Sequence, residues 1–252
     1  MWNYAGTLGG RIAVVIGGAG GIGSAVCEVM SRAGACVVIS YQRSEQPARD
    51  LIARLPGGPH LAVQASVTDS ASLAKLAAAV DEAHGRCDLL VNCAGTTKFV
   101  PHPDLDALND ELIDQILLTN VRGPFAAVRA FRPLLARSAN ALVVNISSIA
   151  ARTAMGSNLM YCASKAALDN LTLSLARALA PVIRVVSVAP GLVDTAFVQG
   201  LDVSWRNEQA TRTPLGRLAT PEEIGMAVLA ATIGLPYSTG IVIPVDGGRP
   251  LA

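Results

Sequence analysis

Short β-branched runs alternate along the chain with longer segments in which Ala and Leu recur at helical spacing. The runs at 11–16 (RIAVVI), 36–40, 60–65, 88–92, 141–147, 183–189 and 240–245 read as seven strands. Helical patterns fall at 21–34, 69–85, 105–118, 121–137, 158–180 and 221–233. Several strand runs are apolar throughout instead of alternating, which predicts burial on both faces. Strand and helix in repeated succession predict a mainly parallel sheet with helices on both sides, joined by right-handed crossovers into a doubly wound α/β fold. No Pro/Gly/Ser-rich linker and no internal repeat divides the sequence, so one domain spanning 1–252 is expected. Its irregular stretch, 191–220, reads as a substrate loop or lid.

Composition narrows the function classes. Of 252 residues 51% are hydrophobic, 15% charged and 4% aromatic, and the formal net charge is +1. With no long charge run, neither a nucleic-acid surface nor a polybasic membrane anchor is indicated. Five cysteines occur without a CxxC pair, and His60, His84 and His102 show no ligand spacing, which argues against a metal site or a disulfide framework. The opening MWNYAGTLGGR lacks an apolar signal core, and no apolar run reaches the ~18 residues of a span. The expectation is a cytoplasmic protein with reduced thiols.

VVIGGAGGIGSA, after the first strand, places Gly17, Gly21 and Gly23 at a strand-to-helix turn. Glycines there permit a tight turn and let backbone N–H groups approach a pyrophosphate. An acidic residue at the end of the second strand would accept hydrogen bonds from a ribose. Here Tyr41 stands in that place, in ISYQRSE, and Arg43 follows. A guanidinium suits a 2′-phosphate. The reading favours NADP(H), with NAD(H) as the alternative.

YCASK, at 161–165, sets Tyr161 one helical turn before Lys165, on a segment whose apolar stripe is Leu168, Leu171, Leu175 and Leu179 and whose start Ser157 or Asn158 could cap. A nearby ammonium favours phenolate, so the expectation is a Tyr161 pKa below its usual ~10. Such a phenol could pass a proton to a carbonyl oxygen or take it back from an alcohol. Ser148 lies thirteen residues upstream, Asn120 opens another helix, and Asn92, Ala94 and Gly95 end the fourth strand.

Taken in order, the glycine turn, Asn92-Cys93-Ala94-Gly95, Asn120, Ser148, Tyr161 with Lys165, and Pro190-Gly191 give a sequence that resembles the short-chain dehydrogenases/reductases from about Arg11 to Gly248. The resemblance implies a Rossmann-type domain and reversible hydride transfer between a nicotinamide cofactor and a carbonyl/secondary-alcohol pair. Tyr161 would be the acid/base, Ser148 would orient the carbonyl, Lys165 would bind the nicotinamide ribose, and Asn120 would hold a water connecting Lys165 to solvent. Gly17, Gly21, Ile22, Gly23, Tyr41 and Arg43 would contact the cofactor, as would Ser66, Val67, Asn92, Ala94 and Gly95 on its adenosine side. Pro190, Gly191, Val193 and Thr195 would meet the nicotinamide end. A homotetramer is implied as well.

Three positions depart from the family pattern: Ile16 where Thr is frequent, Cys93 where a second Asn is usual, and Ser66 where an Asp often faces adenine. The ending TGIVIPVDGG (239–248) resembles 3-oxoacyl-[acyl-carrier-protein] reductases, and Arg129, Arg132 and Arg177 could meet an acidic carrier protein or form solvated faces and subunit contacts. Met160 stands where those reductases commonly carry Asn, which keeps a sugar, steroid or other secondary-alcohol dehydrogenase open as the alternative. A non-catalytic nucleotide sensor would ordinarily lack the Tyr or Lys kept here. His102 could line a substrate pocket or be a plain loop residue, and Trp205 could close over substrate or pack at an interface.

Overall fold

The computed structural model describes residues 4–251, with Phe197 by its backbone alone. Seven strands run parallel in the order β3-β2-β1-β4-β5-β6-β7. They are β1 (Ile12–Ile16), β2 (Cys36–Tyr41), β3 (Leu61–Gln64), β4 (Leu89–Asn92), β5 (Ala141–Ile146), β6 (Ile183–Pro190) and β7 (Val242–Val245). Chain order reverses between β1 and β4, which opens a crevice at the carboxyl ends of those strands.

Apolar runs replace alternation because both faces are covered. Ala13 and Val15 point into one layer with Val37, Ile39, Leu142 and Val144. That layer is closed by α1 (Gly21–Arg32), α2 (Glu45–Arg54) and α10 (Pro221–Ile233). Ile12, Val14 and Ile16 face the other layer, filled from α3 (Ser70–His84), α5 (Gly123–Leu135) and α7 (Leu159–Leu179) by Leu73, Leu76, Phe131 and Leu175. The helices begin where short polar side chains satisfy free N–H groups. Asp69 caps α3, Asn109 caps α4 (Asp110–Leu117), and Thr220 with Glu223 forms a capping box on α10.

The elements differ from the sequence reading in several places, among them short helices over Ala150–Thr153 and, inside the stretch read as irregular, Ala196–Gln199 and Val203–Thr211. α2 had no helical prediction, because EQPARDLIAR carries Pro47 and buries only Ala48 and Leu51. α4 starts at Asp110 and not near 105, since Asn109 is the capping residue. Between α4 and α5 the backbone widens into a π-helical turn over Leu118–Arg122, which holds Asn120.

Asp88 ties together the amino ends of the central strands. Its carboxylate accepts from Ile12 N at 2.8 Å, Ser138 Oγ at 2.6 Å and Arg86 Nε at 3.0 Å, tying β1 and β4 to the turn before β5. Burial works to raise its pKa, but these donors outweigh burial and hold the carboxyl below its ordinary value. The stabilisation is therefore full above the unfolded value of about 3.9 and fades as pH falls through the folded one. Asp88→Asn is expected to cost about 2 kcal/mol in urea denaturation at neutral pH, with the gap to wild type narrowing steadily in acid. A gap of equal size at all pH values would show that the charge contributes nothing.

Candidate active site

The glycine turn is shaped by what it touches. Gly17 has φ +78°, and a Cβ there would lie 2.8 Å from Ala94 N at the end of β4. A Cβ on Gly21 would meet Thr195 at 3.0 Å, in the segment after β6. The bare backbone thus lets three strand ends converge on one crevice. Gly20, at the N-cap of α1, offers no side chain to the first helical N–H groups, and no acid stands in the first turn. The N–H groups of Gly21, Ile22 and Gly23 open α1 without a side-chain cap, a donor set that fits a phosphate and hence a dinucleotide.

On the adenosine side the residues divide. Tyr41 packs into the core layer with Ile39, so its ring serves the fold and not the crevice. Arg43 is exposed just beyond β2. Ser66 Oγ lies 2.9 Å from Thr68 Oγ1 and accepts from Gln42 Nε2 at 3.3 Å. Gln42 was not among the expected site residues; its neighbour Arg43 carried the stronger charge signal. Val67 packs against Gly123 and the second core layer. Asn92 is buried and donates to Asn145 Oδ1 at 2.8 Å.

Lys165 and Asn120 meet beside Gly95. Asn120, buried in the π-helical turn, accepts from Thr96 N at 2.8 Å and donates to Thr96 O at 3.0 Å and Ser164 Oγ at 3.1 Å. A wide turn at this point aims the Asn side chain inward, a use of π-geometry often seen at functional sites. Lys165 is 5% exposed, and its ammonium donates to Ile146 O at 2.8 Å. Asn158 is the cap of α7: its Oδ1 accepts from Tyr161 N at 2.7 Å, and its Nδ2 donates to Lys98 O at 2.8 Å. That second bond joins the start of α7 to the loop after β4, reinforced by His102 Nε2 against Gly156 O at 3.2 Å. His102 is thus a brace between two loops.

The electrostatics of Tyr161 correct the sequence expectation. Burial raises its pKa and a Ser148 hydrogen bond opposes that, with a small further rise from the neighbouring Cys162 sulfur, so the phenol ends above its ordinary value. The Lys165 ammonium, 5.7 Å from the ring centroid, is engaged with Ile146 O and does not reverse this. Ser148 itself is held by Ala150 N, which donates to its Oγ at 3.1 Å. Lys165 is also shifted: burial lowers it to about 8 against the opposing influence of Cys93 and Asp169.

The last segment comes from β6. Ile149 N donates to Pro190 O at 2.9 Å, and Gly191 N donates to Val245 O at 3.0 Å. Val193 is buried and bridges to Ala219, and Thr195 caps α8 (Ala196–Gln199). Trp205 lies on the surface helix α9 (Val203–Thr211), whose start Asp202 caps. Arg206 on that helix stands 3.9 Å from Asp194. Arg129 donates to Ser70 Oγ at 3.1 Å and lies over the Phe125 ring, while Arg132 and Arg177 are exposed. Among the described residues no three His, Cys, Asp or Glu side chains could hold a metal, and no helix is long and apolar enough to cross a membrane.

A family model described as enoyl-(acyl carrier protein) reductase matches residues 17–249. The rhamnolipids biosynthesis 3-oxoacyl-[acyl-carrier-protein] reductase of Pseudomonas aeruginosa is 37% identical, over 96% of this chain and 97% of its own. Cis-4-hydroxycyclohexanecarboxylate dehydrogenase of Sinomonas cyclohexanicum is also 37% identical, over 94% of this chain and 96% of its own. The solved Pseudomonas aeruginosa RhlG/NADP active-site complex superposes with a TM-score of 0.88 at 34% identity, covering 98% of both chains. With the fold, the crevice and the full-length relatives in agreement, the chain belongs to the short-chain dehydrogenase/reductase family, as an oxidoreductase acting on alcohol and ketone groups.

Proposed function

We propose that the protein reduces a 3-oxoacyl thioester, presented on acyl carrier protein or a related carrier, with NADPH. One observation carries the reading: Tyr161, hydrogen-bonded to Ser148, stands one turn before a buried Lys165 at the mouth of a crevice floored by the glycine turn. The relative named as a 3-oxoacyl reductase and the NADP complex of similar fold support the choice of substrate and cofactor.

Bound NADPH supplies the hydride. Gly21, Ile22 and Gly23 would hold its pyrophosphate at the α1 N-terminus, Arg43 its 2′-phosphate, and Val193 and Thr195 its carboxamide. Ser148 would position the carbonyl oxygen and stabilise the charge that develops on it. Tyr161 would give that oxygen its phenolic proton. A phenol with a raised pKa keeps its proton at neutral pH, which suits the donor role in reduction. Lys165 would favour the phenolate left behind, and Asn120 would lead proton return inward from solvent. The 191–220 segment would cover the substrate.

A second reading, a dehydrogenase of cyclic, sugar or steroid alcohols, is favoured by a different observation. Met160 is half-buried one position before Tyr161, and Met155 and Phe99 are exposed on the two loops that Asn158 joins. An apolar rim of this kind suits a ring as well as an acyl chain.

Tyr161→Phe is expected to lower kcat for acetoacetyl thioester reduction about 10²–10⁴-fold with NADPH affinity unchanged; wild-type turnover in this variant would remove Tyr161 from the chemistry. In paired fluorescence titrations NADPH is expected to bind about tenfold or more tightly than NADH, and Arg43→Ala to erase the difference. Tighter NADH binding by the wild type would overturn the cofactor assignment. NADPH binding without thioester turnover would favour the second reading.

A further inference from the structure

Two loops meet beside Tyr161: residues 97–102, after β4, and residues 154–158, between α6 (Ala150–Thr153) and α7. Val100 N donates to Ser157 O at 2.8 Å, and His102 Nε2 donates to Gly156 O at 3.2 Å. The Thr97 and Ser157 hydroxyls are hydrogen-bonded to each other. Asn158, fully buried, adds two bonds from Nδ2, to Lys98 O at 2.8 Å and to Thr97 Oγ1 at 3.2 Å.

The second loop also touches the phenol-bearing residue directly. A Cβ on Gly156 would lie 3.1 Å from Tyr161 Cδ1 and 2.7 Å from Cys162 Sγ, so the bare backbone of this loop rests against the Tyr161 ring. Tyr161 is the third residue of α7, and in a first turn the N–H groups have no intrahelical partner. Helix ends fray where such groups are left free. The Tyr161 N–H is taken up by Asn158 Oδ1 at 2.7 Å.

The residue type at 158 is informative. Ser or Asp would cap the helix about as well as Asn. A carboxylate has no donor and a hydroxyl has one on a short arm, whereas an amide offers an acceptor and two donors at opposite corners. Here all three are used at once: the acceptor on Tyr161 N, the donors on the facing loop. A cap alone needs only the first.

We propose that Asn158 is a positioning residue for the reaction: its one amide locks the Tyr161 backbone to the loop after β4, which keeps the phenol in a single place against Gly156. Its part in turnover rests on the acid role given above to Tyr161; the clamp itself does not.

Two substitutions separate clamp from cap. Asn158→Ser keeps an acceptor for Tyr161 N and loses the reach to Lys98 O, and Asn158→Ala loses both. Each is expected to lower kcat for acetoacetyl thioester reduction about 10–100-fold, with KM and NADPH affinity little changed. If the Ala variant does not fold, the Ser variant, still capped, carries the test. In a Tyr161→Phe background the same substitutions should leave the residual rate almost unchanged, because their effect passes through the phenol. Equal fold losses in both backgrounds overturn the proposal, as does a raised KM at wild-type kcat. A second readout needs no turnover. The chain contains four tyrosines, Tyr4, Tyr41, Tyr161 and Tyr237, so protein carrying 3-fluorotyrosine gives four ¹⁹F signals, with Tyr161 assigned by its loss in Tyr161→Phe. In Asn158→Ser the Tyr161 signal is expected to move or split while the other three stay. An unmoved Tyr161 signal overturns the clamp, even if turnover falls. If wild-type protein reduces no ketone, the functional reading fails while the fluorine spectrum still decides the clamp.

Discussion

The hydrogen bond from Asn145 Nδ2 to Thr172 Oγ1 joins the middle of the sheet to α7, and the placement of Tyr161 and Lys165 depends on it. Asn92, Asn145 and Ser187 are neighbours across β4, β5 and β6, forming a polar row in an otherwise aliphatic sheet. Such a row is costly unless its groups pair. Asn92 donates to Asn145, Asn145 donates to Thr172, and Ser187 meets Thr172 from the other side. These bonds select one rotation and one register for α7. Lys165 lies about two helical turns before Thr172 and Tyr161 about three, so both inherit that register. Asn158 then fixes the near end of the same helix to the loop after β4.

This explains why so much of the architecture was legible in sequence. Doubly covered strands leave unbroken runs such as AVV and LVV, and the intervening helices carry stripes strong enough to be read. α2 escaped although Ala48, Leu51, Ile52 and Leu55 recur at helical spacing, because the segment is short, mostly polar and carries Pro47. The π-turn escaped too, since nothing in LTNVRG distinguishes a widened turn from an ordinary one; its cause is tertiary, the pull of Thr96 and Ser164 on Asn120. Tyr41 shows the converse limit. Its position at the end of β2 is legible, but the direction of its ring follows from strand alternation, which sends it with Val37 and Ile39 into the core.

Charge was the least legible property. Spacing placed an ammonium one turn from a phenol and suggested a lowered phenol pKa. The structure adds what spacing omits, the removal of both groups from water. Burial acts on both in the same direction, towards the neutral form: it raises Tyr161 and lowers Lys165. At about 8 the Lys165 amine is still mostly protonated at neutral pH, while the raised Tyr161 phenol keeps its proton, so their proximity makes no ion pair and does not alone set the protonation state. The Ser148 hydroxyl opposes the rise at Tyr161, and Cys93, then Asp169, oppose the fall at Lys165.

The demands of hydride transfer and the freedom of substrate choice fall on different parts of this chain. The reacting residues sit on strand ends and on α7, where a shift of register would break the buried polar row. Phe99, Met155 and Trp205, by contrast, sit on loops and a surface helix, each partly open to solvent. Substitution there changes the apolar surface offered to a ligand without disturbing the Asn145–Thr172 bond. Asp194 and Arg206 lie between the two regimes: the first adjoins Val193 and Thr195, the second belongs to α9, and their 3.9 Å approach links the strand-end segment to the surface helix. A long, part-exposed ion pair of this kind contributes little stability.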